Sequence, residues 1–484
     1  MTDQLETLAI PFPDRLSHEA LELIHEKSLT ILEELGIEIE LEEARELLAE
    51  HGCTVEEDSG LVKIPSDLAE ECVEAAPGQF TMVGRHSQPD LTLGGEDTIL
   101  TPTAGPPNIR WYNDDRRPST MDDFEAFQKI IQMEDVINGG GYGVVEPTDY
   151  DESMAYLESH LRVLLMTDTV PIGNAYGRDR AREAAEMVGI AYDDPDLSDY
   201  YLITTANSVS PRTWDTKMTE GVMAHAEMEQ PIVLAPAVMA AASGPATLPG
   251  SMALGNAEIL AGITMTQLIN EGTPVIYGLP SSNVDVRYGS FSIGSPEGAL
   301  FISFAGQMSR FYDIPARAGG ALTDAKTVDF QAGSESMLQL MMSWSSGIDY
   351  ILHAGGVMDS YSTASPEKFV LDCDQIRYLQ RFDDGYTIDE DTFALDLIEE
   401  VEPADHFLNK RHTLEHSRDD FLFPEIAYRD SYDNWEEDGA KDAFERAHER
   451  VQNLIDEYER PPVDADIQQE LEDYVDAKRE EKSL

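Results

Sequence analysis

Polar side chains suited to catalysis are concentrated between Ile314 and Gly356. An apolar run ends at Gly319-Gly320, a polar loop and an amphipathic run follow, and a second apolar run stops at His353. This order predicts a strand, a loop, a helix and a second strand, and α/β enzymes hold their chemistry in loops of this kind. The candidate catalytic residues are His353, Asp324, Gln331 and Glu335.

Three of these residues also have a structural interpretation. His353 can be a hydrogen-bonded core residue at the end of a strand, and Asp324 and Glu335 can do no more than cap the helix that follows. A histidine with a nearby carboxylate would also permit general acid and base catalysis. The residue types alone leave these alternatives open.

A second group of side chains has the chemistry to hold an organic cation. Tyrosine and tryptophan rings attract cations through their faces, although packing is the alternative for any one ring. The residues around the predicted site include no CxxC or HExxH motif and no phosphate-binding loop, so we expect no metal ligands. The candidate substrate-binding residues are Tyr142, Asn174, Tyr176, Asn207, Tyr277 and Trp111.

The scaffold for these residues begins near Thr98, where short apolar runs start to alternate with amphipathic runs, eight of each. Such alternation implies parallel strands with right-handed crossovers. Eight units favour an α/β fold, a closed (β/α)8 barrel of the TIM type, with a doubly wound sheet as the alternative. The predicted strands are Ile99–Pro102, Ile137–Val144, Val170–Tyr176, Tyr200–Ala206, Ile232–Ala235, Val275–Gly278, Ala316–Gly319 and Asp349–Ala354, and the predicted helices are about Met121–Glu134, Asp151–Met166, Ala181–Tyr192, Thr213–Glu229, Gly250–Asn270, Pro296–Tyr312, Ser334–Ser346 and Pro366–Arg381.

Three regions divide the predicted chain. Residues 1–97 form an N-terminal helical cap with a small hairpin, residues 98–400 form the barrel, and residues 401–484 form a C-terminal arm with helices. The arm carries several aromatic residues, which indicates packing on the barrel or on another subunit. A homo-oligomer is therefore left open.

The charge of the chain limits the partners it can have. Asp and Glu number 94 against 33 Lys and Arg, and the resulting net charge of -61 would repel nucleic acid. The acidic residues are spread along the whole chain, which indicates adaptation to high salt, with an acidic face for a basic partner as the alternative. Three cysteines without motif spacing, no signal peptide and no membrane-spanning run favour a cytoplasmic location.

Several short motifs, in their order and spacing, resemble the trimethylamine methyltransferase family over nearly the whole chain. The resemblance implies a (β/α)8 barrel that moves a methyl group from an amine to the cobalt of a separate corrinoid protein. It implies no permanently bound cofactor, because the cobalamin-type corrinoid belongs to that partner. The motifs include Gly255-Asn-Ala-Glu-Ile-Leu-Ala-Gly, Thr323-Asp-Ala-Lys, Asp329-Phe-Gln-Ala-Gly-Ser-Glu and His353-Ala-Gly-Gly.

The resemblance also indicates a substrate class. The trimethylamine enzymes of the family carry pyrrolysine in the barrel, whereas this chain contains only standard residues. It therefore resembles the pyrrolysine-free branch, whose members act on quaternary amines such as glycine betaine. When reduced cobalt attacks a methyl group of a quaternary nitrogen, a neutral amine leaves, so the protein needs only to position the cation and exclude water.

These observations predict a methyltransferase for a glycine betaine-like quaternary amine, with a cognate corrinoid protein as its partner. The alternatives are a methyltransferase for trimethylamine or another methylamine, a barrel lyase or hydrolase, and a non-catalytic amine-binding protein. A betaine carboxylate would need hydrogen-bond donors. The candidates for that role are His353, Asn174, Asn207 and Gln331, with Arg110 and Arg287 as weaker ones.

Overall fold

The computed structural model describes residues 5–6, 14–86 and 88–482. Six parallel strands lie at the centre of this described part: β1 (Ile99–Pro102), β2 (Thr204–Ala206), β3 (Ile232–Leu234), β4 (Val275–Gly278), β5 (Ala316–Arg317) and β6 (Tyr350–Gly355). They pair in the order β2, β3, β4, β5, β6 and β1. The strand that comes first in the sequence therefore lies beside the last one, as the closure of a barrel requires.

Two short segments, 138–140 and 170–173, complete the ring between β1 and β2. Pro171, in the second segment, has no amide hydrogen to donate. The second segment therefore pairs with each neighbour through one isolated bridge, not through a continuous ladder. The ring thus has eight parallel positions among the described residues, and the predicted (β/α)8 barrel is confirmed. The closing hydrogen bonds run from backbone amide to carbonyl: Gly139 to Leu100 (3.0 Å), Gly140 to Val170 (2.8 Å) and Gly173 to Ile203 (2.9 Å).

A helix follows each of the eight positions in the described chain. Side-chain caps begin several of them; the Asp215, Ser295 and Asp329 side chains each accept a hydrogen bond from an amide of the first turn. The helices are α1 (Met121–Met133), α2 (Glu152–Met166), α3 (Arg178–Ala191), α4 (Thr216–Glu227), α5 (Leu248–Ile269), α6 (Pro296–Tyr312), α7 (Phe330–Ser345) and α8 (Pro366–Asp383).

The two ends of the barrel differ in what fills them. Around the amino-terminal ends of the strands, the inward-facing Ile99, Val233 and Ile276 pack against a hairpin formed by Phe80–Met82 and Leu91–Leu93. This apolar layer seals that end. The loops that follow the strands lie at the opposite, carboxyl-terminal end, which we call the mouth.

The region before the barrel covers α5, which is buried on almost all sides because His18–Thr30 and Ser66–Ala75 pack on it. The helix Glu42–Glu50, the π-turn Ile31–Leu35 and the strands Ile37–Ile39, Thr54–Glu56 and Leu61–Lys63 complete this region. Small strands edge the mouth at Asn108–Ile109, Arg117–Pro118, Thr213–Trp214, Met239–Ala240, Ser282–Asp285, Ser290–Ser292, Val357–Met358 and Thr363–Ala364.

Short elements follow α8. Thr387–Ile388 pairs with Leu5–Glu6, and the later helices are Glu390–Phe393, Leu395–Glu400, Arg411–Asp420, Tyr432–Glu437, Ala443–Asp456 and Ala465–Lys482. In the described residues, no helix combines the length and the apolar character needed to cross a bilayer. The three cysteines are buried and free.

Candidate active site

A distortion in β6 brings His353 to the mouth of the barrel. The pairing of β6 with β1 shifts register between Ile351 and Gly355, and His353 has a left-handed backbone with φ of 67°. Its Nδ1 accepts a hydrogen bond of 3.1 Å from the Ala104 amide, which leaves the ring proton on Nε2 when the ring is neutral. A residue other than glycine held in this conformation indicates local constraint, as is common at functional sites.

Arg317, the second residue of β5, is the residue that sequence reasoning missed. Its side chain lies within the barrel and is only 3% exposed. Its Nε and Nη1 atoms find no hydrogen-bond partner among the residues that the structure describes. Burial lowers the pKa of this guanidinium, while Tyr361 and Tyr350 act in the opposite direction. A cation held this way, without a carboxylate beside it, is costly and needs an anion to complete its site.

Tyr361 packs on His353 and is near enough to Arg317 to influence its charge. It ends a turn in which Asp359, Ser360 and Tyr361 all have left-handed backbones, with φ of 53°, 53° and 70°. The Tyr361 and His353 rings lie 4.7 Å apart, centroid to centroid. Burial is the main cause that raises the pKa of the Tyr361 hydroxyl to about 12, so the ring stays neutral. The site therefore combines a buried cation, a neutral imidazole and an aromatic face.

The predicted catalytic carboxylates hold this turn in place instead of facing Arg317. The Asp324 carboxylate accepts hydrogen bonds from the Ile293 and Gly294 amides (3.0 and 3.2 Å) and from the Ser360 hydroxyl (2.6 Å). Such a carboxylate, with its oxygens already engaged, is a poor partner for His353. Asp324 therefore supports the Tyr361 turn through Ser360, and a catalytic role for Asp324 stays a prediction.

Glu335 and Gln331 belong to the same supporting network. Glu335 accepts hydrogen bonds from the Thr323 hydroxyl (2.6 Å), the Asp324 amide (2.8 Å) and the Gln331 amide nitrogen Nε2 (2.9 Å). Gln331 is exposed at the start of α7, whose cap is Asp329. These contacts fix the loop after β5 and give neither residue a free group directed at the buried site.

Tyr142, Asn174 and Tyr176 lie together, but in a separate outer cavity of about 550 Å³ between α2 and α3. The amide Nδ2 of Asn174 donates to the Tyr142 hydroxyl. The Arg180 guanidinium lies 5.3 Å from the centre of the Tyr176 ring, and the cavity also contains Glu146. The Arg180 cation already lies against the Tyr176 ring, and a cage for a quaternary ammonium group at these residues stays a prediction.

The other three predicted substrate-binding residues point elsewhere. Tyr277 faces outward from β4, fully buried against α5, and its hydroxyl donates to Asn256 over 2.9 Å. Trp111 donates through Nε1 to Asp123 at the start of α1 over 2.9 Å. Asn207 follows β2 and is exposed. Tyr277 and Trp111 are thus held by contacts away from Arg317, and a binding role for them stays a prediction.

The pH dependence of stability provides a test of the His353 environment. Burial, with a further contribution from Arg317, lowers the pKa of His353 well below its ordinary value of 6.5. The unfolded chain then binds a proton before the folded one does, so the stability contributed by neutral His353 is present above pH 6.5 and is lost as the pH falls. Between pH 7.5 and 5.5, we expect wild type to lose about 1.4 kcal/mol more unfolding free energy than His353→Gln.

Urea unfolding of both proteins at the two pH values measures this difference. Other titrating groups are common to the two proteins and cancel in the comparison. Equal losses of stability in wild type and variant would show that the imidazole is hydrated and titrates normally.

The buried site offers hydrogen-bond donors to a ligand. The described residues include no group of three or more His, Cys, Asp or Glu side chains that could hold a metal ion. The donors that remain at the buried site are Arg317, with two unsatisfied nitrogen atoms, and the His353 Nε2. This set can bind a carboxylate beside a tyrosine ring.

The family model and the known proteins that match this chain are all described as methyltransferases. The family model described as trimethylamine methyltransferase (MTTB) matches residues 3–483. A glycine betaine methyltransferase of Desulfitobacterium hafniense (strain Y51) is 37% identical over 96% of this chain and 97% of its own length. Two proteins of Eubacterium limosum are also similar: a proline betaine:corrinoid methyltransferase (32% identical; 84% of this chain, 86% of its own) and an L-carnitine:corrinoid methyltransferase (30%; 91% and 92%).

Proposed function

Because the chain belongs to the trimethylamine methyltransferase family, whose relatives transfer methyl groups to corrinoid proteins, we propose that it demethylates a quaternary amine that also carries a carboxylate. Glycine betaine is the smallest such compound. The methyl acceptor is the cobalt of a corrinoid carried by a cognate protein, which is a second substrate here. The products are the tertiary amine, dimethylglycine in the case of glycine betaine, and the methylated corrinoid.

The single observation that carries this proposal is the unpaired, buried guanidinium of Arg317. In the ligand-free protein this charge is largely stripped of water and has no counter-ion among the residues that the structure describes, a state that costs several kcal/mol. A substrate carboxylate restores the missing partner through charge-assisted hydrogen bonds to Nε and Nη1. Glycine betaine, proline betaine and carnitine, which appear in the names of the relatives, all combine a carboxylate with a quaternary nitrogen.

The same cation disfavours trimethylamine as the substrate. Trimethylamine is a cation at neutral pH and has no carboxylate, so a buried Arg317 repels it without any compensating contact. A betaine instead places its carboxylate at Arg317 and its ammonium group away from it. The Tyr361 ring beside His353 then offers an aromatic face for the methyl groups.

The residues of the site have a positioning role in the transfer step. The bond between nitrogen and methyl carbon breaks, its electron pair stays on nitrogen, and the cobalt nucleophile supplies the pair for the new bond to carbon. No proton is transferred, which agrees with the lowered pKa of His353. Arg317 fixes one end of the substrate, and the covering Tyr361 turn excludes water.

A lyase or hydrolase would need an acid and a base in reach of each other. His353 is held neutral, and Asp324 is fully engaged by two amides and a hydroxyl. The pair therefore lacks the contact that general acid and base catalysis requires.

Reconstitution tests the proposed function. The protein is mixed with a reduced corrinoid protein and, in separate reactions, glycine betaine, proline betaine, carnitine, trimethylamine and choline. We expect methylcobalt absorbance with at least one carboxylate-bearing amine and none with trimethylamine or choline, and equimolar dimethylglycine from glycine betaine. Methylcobalt formed from trimethylamine with dimethylamine as product, or turnover without any corrinoid, would overturn the proposal.

A further inference from the structure

We propose that the buried ion pair of Lys368 and Asp372 in α8 positions the end of β6 for methyl transfer. The inference rests on the proposed function and adds two positioning residues to it. Both residues lie in the first two turns of α8, and they are only 2% and 1% exposed. Lysine and aspartate are almost never buried so completely unless they are paired.

The two charges contact each other and the backbone of the barrel. Lys368 Nζ lies 2.6 Å from Asp372 Oδ2 and donates a second hydrogen bond, of 3.1 Å, to the Ala321 carbonyl oxygen. Asp372 Oδ2 also accepts a hydrogen bond of 2.8 Å from the Gly356 amide. Ala321 follows β5 and Gly356 follows β6, which are neighbouring strands of the barrel. The pair therefore ties the ends of two adjacent strands to one helix.

The backbone groups tied in this way are those that hold His353. The Ala321 amide donates a hydrogen bond of 2.8 Å to the His353 carbonyl oxygen, and Gly356 lies three residues after His353. His353 has a left-handed backbone where the pairing of β6 with β1 shifts register, so a regular ladder does not fix its position. Lys368 therefore acts on His353 through Ala321, and Asp372 acts on it through Gly356.

A stabilising role alone explains this pair poorly. Burial is the main cause that lowers the pKa of Lys368 and raises the pKa of Asp372 to about 6, so the surroundings disfavour both charges. Replacing a buried ion pair with apolar side chains of similar volume is often neutral or stabilising. The charges are better explained by the orientation they give to Ala321 and Gly356, which apolar side chains cannot provide.

The double variant Lys368→Met with Asp372→Leu removes both charges and leaves neither one unpaired. Its urea midpoint should equal or exceed that of wild type. The kcat for methylcobalt formation should fall about 30–100-fold, because a displacement of about 1 Å near the reacting groups costs up to about 10²-fold. KM for glycine betaine should change less than about 3-fold, because Arg317 in β5 still holds the carboxylate.

A second variant, Lys368→Met with Asp372→Asn, separates the two backbone contacts. The asparagine amide oxygen still accepts a hydrogen bond from the Gly356 amide, while the contact with Ala321 stays lost. Its kcat should lie between those of wild type and the first variant. A kcat as low as that of the first variant would contradict the role given to Asp372.

Another buried ion pair of α8 supplies the matched control. Arg377 Nη2 lies 2.5 Å from Glu134 Oε2, and the two side chains are 12% and 1% exposed. This pair joins α8 to the residue that follows α1 instead of to β5 or β6. The variant Arg377→Met with Glu134→Leu should therefore have the kcat and KM of wild type.

Hydrogen exchange of the full chain, read by mass spectrometry over residues 318–323 and 353–358, tests the positioning without substrate. In the first variant, the Ala321 and Gly356 amides should exchange about 10-fold faster than in wild type, as expected for one lost hydrogen bond. The control should exchange as wild type does.

Unchanged exchange or an unchanged kcat in the first variant would overturn the proposal. So would a loss of kcat that is matched by a lower urea midpoint, because that would indicate a structural role alone. If wild type itself transfers no methyl group from any betaine, the proposed function fails. The exchange rates then still show whether the pair holds the end of β6.

Discussion

Replacing Arg317 with methionine should lower kcat/KM for glycine betaine by about 10²–10³-fold, measured as the initial rate of methylcobalt formation. The variant keeps the length of the side chain but removes the cation that receives the substrate carboxylate. Loss of one partner of a buried charged pair costs about 3 kcal/mol or more, which corresponds to this range.

The same change should leave the free energy of unfolding of the ligand-free protein unchanged or raise it. Within the described part of the chain, Arg317 is a buried cation without a counter-ion, and an apolar side chain of similar volume removes a desolvation cost. The thermal stabilisation that betaine gives wild type should disappear in the variant. A variant that loses activity but keeps or gains stability has lost a substrate contact. Loss of a structural contact would lower both activity and stability.

Arg287→Met serves as the matched control, because Arg287 lies near the mouth but is 74% exposed and pairs with Asp285. Its kinetics and its stabilisation by betaine should match those of wild type. A fully active Arg317→Met protein would contradict the role given to Arg317. So would a variant that is inactive only because it has lost several kcal/mol of stability.

Replacing Gly320 with alanine should destabilise the protein by at least about 3 kcal/mol and abolish methyl transfer. Gly320 has φ of 121°, and a Cβ at this position would lie 2.3 Å from the His353 carbonyl oxygen. The new methyl group can be accommodated only if the distorted part of β6 moves. His353 would then leave its place beside Tyr361.

Urea unfolding measures the loss, and Gly333→Ala is the control. Gly333 lies in the first half of α7, where a Cβ meets nothing within 4 Å, so alanine should stabilise the helix by about 0.5–1 kcal/mol. If Gly320→Ala is as stable and active as wild type, the close approach of Gly320 to His353 is not required for the site.

The barrel could be predicted from the sequence because its signals are local. Apolar runs of strand length, amphipathic helical runs and capping residues such as Ser295 and Asp329 each indicate one element, and their alternation indicates the parallel order. The two short closing segments were predicted as longer strands, since their apolar residues look like those of a strand. In the structure, Pro171 cannot donate a hydrogen bond to the neighbouring strand, so these segments form isolated bridges instead of a continuous ladder.

The site was predicted less well because the direction of a side chain depends on pairing. Ile276 faces the interior of the barrel, so its neighbour Tyr277 must face outward, although both follow the same apolar pattern. Arg317 did have a signal, a single charged residue inside the apolar run Ile314–Gly319. The turn that brings Tyr361 over His353 has no signal in the sequence, because it depends on three consecutive left-handed residues and on distant Asp324.

The most direct test is a crystal structure of the protein with bound glycine betaine. We expect the carboxylate oxygens about 3 Å from Arg317 Nε and Nη1, with the methyl groups beside Tyr361 and open toward the mouth. Betaine bound instead in the outer cavity beside Arg180 and Tyr176, with nothing at Arg317, would contradict the account.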